Sequence, residues 1–332
     1  MKEIISVNPA DGQAVPASPS AHEKTKQMNT MKNRKNILTQ HTKEIVIRKL
    51  FGFFAFLSVL LLGLILLFLF REGLPLFKKI SVADFLFGTA WYPTYDPPEY
   101  GIWPLIVGSL IVTFFACLIA VPLGLLSSVY IAEIAPARIK EILKSVIELL
   151  AGLPSVVLGF FGMVIVGPWL QETFDLPTGL NIMNAAVMLA IMAVPTISSI
   201  SEDALYAVPR EFKEASYALG ATKYETIIRV IIPAALSGIS TAVILGMARA
   251  IGETMVVLMV AGGAAAVPGG IFDAVRPMTA SIAAEMGEAP FRSGHYHALF
   301  ATGIVLFVIT LAFNLIADYF SNRFRETGSG TL

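Results

Sequence analysis

Between Phe51 and Phe70 the chain runs for twenty residues without one charged side chain. A helix needs about 20 apolar residues to cross the hydrocarbon core of a bilayer. Lipid offers the backbone no partners, so a lipid-exposed crossing segment must pair its own N–H and C=O groups, as a helix does. Five more apolar segments follow, at Pro104–Ile131, Val146–Leu170, Ile182–Ile200, Pro233–Ala264 and His297–Tyr319. The sequence therefore predicts an all-α integral membrane protein with six transmembrane helices. Its composition agrees: 14% of residues are charged, where soluble domains carry about 25%. The first block starts too late, is too long and lacks a small-residue cleavage site, so it is not a removed signal peptide.

Three regions follow from this pattern. Residues 1–47, rich in Pro, Ser, Lys, Asn and Gln, read as a disordered basic tail. Residues 48–326 form the membrane domain, and residues 327–332 read as a disordered C-terminus. Lys and Arg set the orientation. With both termini cytoplasmic, and counting from Lys32 near the first helix onward, fifteen Lys and Arg fall on the cytoplasmic side and five on the other. The polar loop 202–232 then faces the cytoplasm.

That loop is built as a protruding knob. Pro209 suits the first turn of a helix, where its missing N–H costs nothing, and Glu211 in the same turn favours the helix dipole. Gly220 suits the left-handed position that ends such a helix. Thr222 and Glu225 have the spacing of a capping box that opens a second helix. Pro233 should end or kink that helix as the chain re-enters the membrane. Small residues at Ala215, Ala218 and Ala221 would let a partner approach closely.

Two charges lie inside the fifth apolar segment. Arg249 is about 24 Å beyond Pro233 on a straight helix, well inside the bilayer, where such a residue costs about 2.5–3.5 kcal/mol. Glu253 follows at i+4, a spacing that puts both side chains on one helix face. The pair reads either as a structural ion pair or as a polar site on a translocation path, where the guanidinium fork would attract an anion. Glu202 and Asp203 are expected to cap or contact the loop. His295 and His297 read as surface residues, since two His without a third ligand make a poor metal site. Pro154 and Pro195 mark expected hinges that break the third and fourth spans. Gly159 and Gly162 allow close helix packing, and Gly167-Pro168 marks the outer end of the third span. No nucleophile–base or metal constellation occurs within the spans, and no phosphate-binding loop of the Gly-x-x-x-x-Gly-Lys-Ser/Thr type occurs anywhere in the chain.

The run Glu214-Ala215-Ser216-Tyr217-Ala218-Leu219-Gly220, followed by Val230-Ile231-Ile232-Pro233, resembles the EAA loop of importer-type ABC permeases. The departures are Ser216 for the second Ala, Val230 for Ile and Ile232 for Leu. Further stretches are similar to the phosphate-specific ABC permease family: 151–157, 201–205, and Arg249-Ala250-Ile251-Gly252-Glu253-Thr254-Met255. Trp91-Tyr92-Pro93, Gly101-Ile102-Trp103-Pro104 and 295–300 resemble its PstC-type subunit. The resemblance covers roughly residues 48–326. It implies a type I ABC importer permease in a bacterial cytoplasmic (inner) membrane, not itself an enzyme and without a cofactor or metal. Its implied partners are a related permease subunit in a heterodimer, two copies of an ABC ATPase, an extracytoplasmic phosphate-binding protein and membrane lipid, with no nucleic acid. The ATPase would dock on Glu214, Ala215, Ser216, Gly220 and Pro233, and Arg249 and Glu253 would lie on the phosphate path. Sulfate and molybdate permeases carry a similar Arg-Ala-Leu-Gly-Glu, so another oxyanion stays open, as does a non-transporting scaffold or sensor.

Overall fold

In a computed structural model of the chain, residues 21–329 are described, and side chains are described over 47–316, 318 and 319. Residues 1–20 and 330–332, which include much of the two expected disordered ends, lie outside the described residues. Residues 21–47 continue into the first span as one helix, α1 (Ala21–Gly73). In chain order the other helices are α2 (Val82–Phe87), α3 (Trp103–Val129), α4 (Ala137–Ala151), α5 (Ser155–Phe161), α6 (Gly167–Phe174) and α7 (Ile182–Tyr206). Then come α8 (Arg210–Ala218), α9 (Lys223–Thr226), α10 (Ile232–Ala234), α11 (Leu236–Ile251), α12 (Met255–Val260), α13 (Met278–Glu285) and α14 (Gly294–Ser329). A two-stranded hairpin, β1 (Trp91–Tyr92) against β2 (Glu99–Tyr100), lies between the first two spans. Burial pushes the Tyr100 phenol above its ordinary pKa.

Five helical stretches are long and apolar enough to cross a membrane: Ile47–Lys78, Trp103–Ile134, Ser155–Phe174, Ile182–Tyr206 and Gly294–Ile316. A sixth is formed by Lys223–Ala234 and Leu236–Ile251 together, bent by 71°. The six-helix expectation is met only by counting that bent pair as one span.

Two expected boundaries need correction. The third span starts at Ser155, not Val146. Residues 137–151 form the separate helix α4, which has no buried residue and alternates apolar and charged faces. Its apolar positions made the preceding turn look like membrane sequence. The same span also runs past Gly167-Pro168 to Phe174, because Pro168 stands in the first turn of α6, where no N–H is needed. The fourth span is not broken at Pro195: α7 is continuous through it. The proline ring removes one hydrogen bond, and close neighbours hold the helix together.

Helix packing in a bilayer gains little from the hydrophobic effect, so it depends on close contact between small residues. The main core joins α3, α7 and α12 through Val112, Ala116, Ala185, Ala186, Leu189, Val256 and Val260. Ile197 of α7 fits between Gly124 of α3 and Gly246 of α11. A Cβ on either glycine would fall within 2.8 Å of its side chain. Gly159 meets Met259, and Gly162 meets Met188 and Val260 in the same way, as the sequence predicts. Wider π-helical turns at Tyr130–Ile134, Gly162–Val166 and Ile227–Ile231 interrupt three of the helices.

Candidate functional site

The polar loop folds as the helix grammar requires. Pro209 stands at the N-cap, one position before its expected place, and α8 begins at Arg210 with Glu211 in its first turn. Gly220 has φ +84°, a conformation that costs an L-residue about 1–2 kcal/mol. It lets the chain reverse. The Gly220 N–H donates to the Tyr217 carbonyl at 2.9 Å, and the Ala221 N–H to the Ser216 carbonyl at 3.2 Å. Together these close the end of α8 in a Schellman turn. Thr222 then opens α9. Its hydroxyl accepts from the Glu225 N–H, and the Glu225 carboxylate accepts from the Thr222 N–H at 2.9 Å.

A buried hydroxyl pair, Ser216 Oγ to Thr226 Oγ1 at 2.9 Å, holds the two helices together. Glu214, Ala215 and Gly220 stay exposed. Leu219, at the turn, is 89% exposed, with Phe212, Tyr217 and Tyr224 also exposed nearby in sequence. Exposed apolar side chains on a polar loop suit contact with a partner surface. Lys213 ties α8 back to the Tyr130–Ile134 turn through Glu133 at 2.6 Å.

Pro233 marks the end and kink of its helix to within two residues, as the sequence predicts. The Ile227–Ile231 π turn precedes it, the helix runs on to Ala234, and the 71° bend comes at Ala235 (φ −87°, ψ 1°).

Arg249 and Glu253 are placed differently from the i, i+4 expectation. Arg249 lies exposed in the last turn of α11, which stops at Ile251. Glu253 falls in the break before α12, where its carboxylate accepts the Met255 N–H at 3.2 Å and the Val256 N–H at 3.4 Å. It thereby caps α12. Its carbonyl accepts from the Thr279 hydroxyl at 2.8 Å. Among the described residues no ion pair joins Arg249 to Glu253. The pairing needed one unbroken helix through Gly252, and the helix ends there. Both residues still flank a break inside an apolar segment, and non-helical backbone at membrane depth is tolerated only against protein or a water-filled path. The break at Pro154 lies before the third span and not within it: Pro154 is the N-cap of α5, with α4 ending at Ala151.

Residues 120–326 match the family described as binding-protein-dependent transport system inner membrane component. The chain belongs to this family. A Bacillus subtilis relative of the inner membrane component, named a probable ABC transporter permease protein YqgH, is 41% identical over 78% of the chain and 84% of its own length. The phosphate transport system permease protein PstC of Pasteurella multocida is 33% identical over 83% of the chain and 90% of its own length. Among solved structures, a bacterial alginate ABC transporter superposes with TM-score 0.56 at 16% identity, over 83% of this chain and 96% of that one. The MetNI methionine ABC transporter gives 0.51 at 21%, over 68% and 94%. These likenesses establish the fold of an ABC importer permease. The chain is a multi-pass protein of the cytoplasmic membrane and not an enzyme.

The inner membrane component also carries polar contacts that sequence reasoning missed. Glu202 is buried and faces Lys140 and Lys144 of α4, and it does not cap the loop. Lysines at i and i+4 on an amphipathic helix signal one charged face, but nothing in the sequence names the partner. His295 is buried and not a surface residue. With Trp91 and Arg276 it converges on Glu285: Trp91 Nε1 donates at 3.0 Å, Arg276 at 2.6 Å, and His295 Nε2 lies at 2.8 Å. The cluster borders a cavity of about 650 Å³. His297 Nδ1 lies 2.6 Å from the Glu72 carbonyl.

Proposed function

We propose that this chain is a permease subunit of an ATP-driven importer of inorganic phosphate. The observation that carries the reading is its 33% identity, across 83% of the chain, to a permease named for phosphate transport. The knob supports it, since a tightly capped helix pair with an exposed apolar tip suits a rigid docking element. The Lys and Arg asymmetry supports a cytoplasmic knob and cytoplasmic termini. An ABC ATPase, present as two copies, docks on the exposed Glu214, Ala215 and Gly220, while Ser216, buried against Thr226, holds the docking surface together from beneath. Pro233 and the bend at Ala235 carry the motion into the membrane. A second, related permease completes the pathway, and an extracytoplasmic binding protein delivers the anion.

Arg249 is the anion-attracting group on the path. Its guanidinium stays charged and offers a planar fork of donors. Because Glu253 is engaged at the start of α12, it holds the geometry of the break and does not neutralise Arg249. Release of the anion then relies on water and on motion of the broken helix, since a permeating ion must be held weakly enough to leave. Pro154 and Pro195 serve as hinges, the first at a true helix break and the second at a missing hydrogen bond within α7.

Radiolabelled phosphate uptake tests this in cells lacking the chain, with sulfate and molybdate as competitors. Rescue by wild type, resistant to both competitors and lost in Arg249→Ala, is the expected result. Rescue suppressed by sulfate or molybdate would move the substrate to another oxyanion. No rescue for any of them would leave a scaffold or sensor.

A further inference from the structure

Helix α4 has no buried residue, so apolar packing alone does not fix it to its neighbours. Polar groups hold it instead. Lys140 Nζ and Lys144 Nζ lie 3.7 and 3.6 Å from Glu202 Oε1, and Lys140 also sits 3.6 Å from the ring centre of Tyr206. Glu202 and Tyr206 belong to the last turns of α7, directly before the knob helix α8. At its other end α4 leads into the Pro154 break and the third span. The contact between α4 and Glu202 therefore joins the base of the knob to the start of the third membrane span, from the end of α7 farthest from it along the chain.

The same contact is incompletely paired. Glu202 Oε1 accepts no hydrogen bond, and the buried hydroxyls of Ser198 and Ser201 have no partner. Each such group costs about 1–3 kcal/mol. Ser198 is one turn before Glu202 on the same helix face. A carboxylate released by the lysines can turn back and accept from that hydroxyl. Two arrangements are thus open to Glu202, one holding α4 and one releasing it.

We propose that Glu202 is a two-position latch that couples movement of the knob to movement of α4 and the third span. In this structure it is engaged with Lys140 and Lys144. The inference rests on reading the knob as the ATPase dock. Glu202 is a positioning residue, since it acts through α4 and not on the transported anion.

The test uses the complete transporter in proteoliposomes, with phosphate moved per ATP hydrolysed as the readout. Glu202→Gln keeps the shape and removes the charge. It is expected to retain ATPase co-purification and ATP hydrolysis while the transport ratio falls about tenfold, a typical size for coupling between sites. A merely structural role would lower abundance and both activities together. Reversal of all three charges (Glu202→Lys with Lys140→Glu and Lys144→Glu) should recover the ratio, while Glu202→Lys alone should not. Where Glu202→Gln fails to accumulate, Lys140→Gln with Lys144→Gln makes the same test from partly exposed positions. A wild-type ratio in either neutralised variant overturns the latch alone. Absence of ATPase co-purification with the wild-type chain overturns the docking reading and the latch with it.

Discussion

The knob and the broken fifth span are consecutive in the chain, yet they are specified in opposite ways. The bonds that close the knob's turn lie within ten residues: the Gly220 turn, the Thr222–Glu225 box and the Ser216–Thr226 pair; one longer tie, Lys213 to Glu133, anchors its base. The fifth span depends on where its helix stops. Ending at Gly252 turns Glu253 from a partner of Arg249 into the cap of the next helix. A helix pair shaped mainly by its own residues thus leads into a segment held by contacts from elsewhere, such as Thr279 to the Glu253 carbonyl. That is a sensible division for a part that receives motion and a part that must change shape.

Mutations can break or sharpen that contrast. The largest effect is expected at the broken span. Arg249→Ala should reduce phosphate uptake to background while the assembled complex still purifies, and Arg249→Lys, which keeps the charge but loses the fork, should retain a fraction. Normal uptake by the alanine variant would take Arg249 off the path. In the knob, Gly220→Val must hold a β-branched residue at φ +84°. With nothing near the glycine to clash, the cost is conformational, about 1–2 kcal/mol or more. It should show as roughly tenfold weaker ATPase capture in pull-downs, with membrane insertion unchanged. Wild-type capture would mean that the turn geometry is not what the ATPase reads.

Two smaller effects set the scale of what is not coupling. Glu285→Gln removes the charge shared by Arg276, Trp91 and His295 and should lower stability in detergent by about 2 kcal/mol, measured as a fall in Tm, with ATPase capture unaffected. Ser216→Ala leaves Thr226 without its buried partner, at about 1 kcal/mol. It should weaken capture only slightly. A loss as large as that of Gly220→Val would show that the knob is less self-contained than its hydrogen bonds imply.

Features with short-range causes were legible in the sequence. The apolar blocks gave the membrane class, and Pro209, Gly220 and Thr222 gave the knob within one residue. The features that were not legible depend on partners far along the chain. The first turns of the expected third span belong to α4, because amphipathic and membrane helices look alike over two turns. Pro195 predicted a break, but the helix tolerates it. From the sequence Glu202 is expected to cap or contact the loop and His295 to lie at the surface, and only the fold shows them buried against Lys140 and Glu285. For the Arg249–Glu253 pair, residue types marked the place but not the geometry, since helix spacing cannot say that the helix ends between them.

The convergence on Glu285 has a mechanical consequence. The hairpin strand at Trp91, the return loop at Arg276 and the start of α14 at His295 come from three separate connections and share one acceptor. Displacement of that one carboxylate loosens all three at once. This end of the molecule should therefore open as a single cooperative unit, with matching amide hydrogen-exchange rates across all three segments. Aspartate at 285, one methylene shorter, would divide that unit into independently fraying pieces.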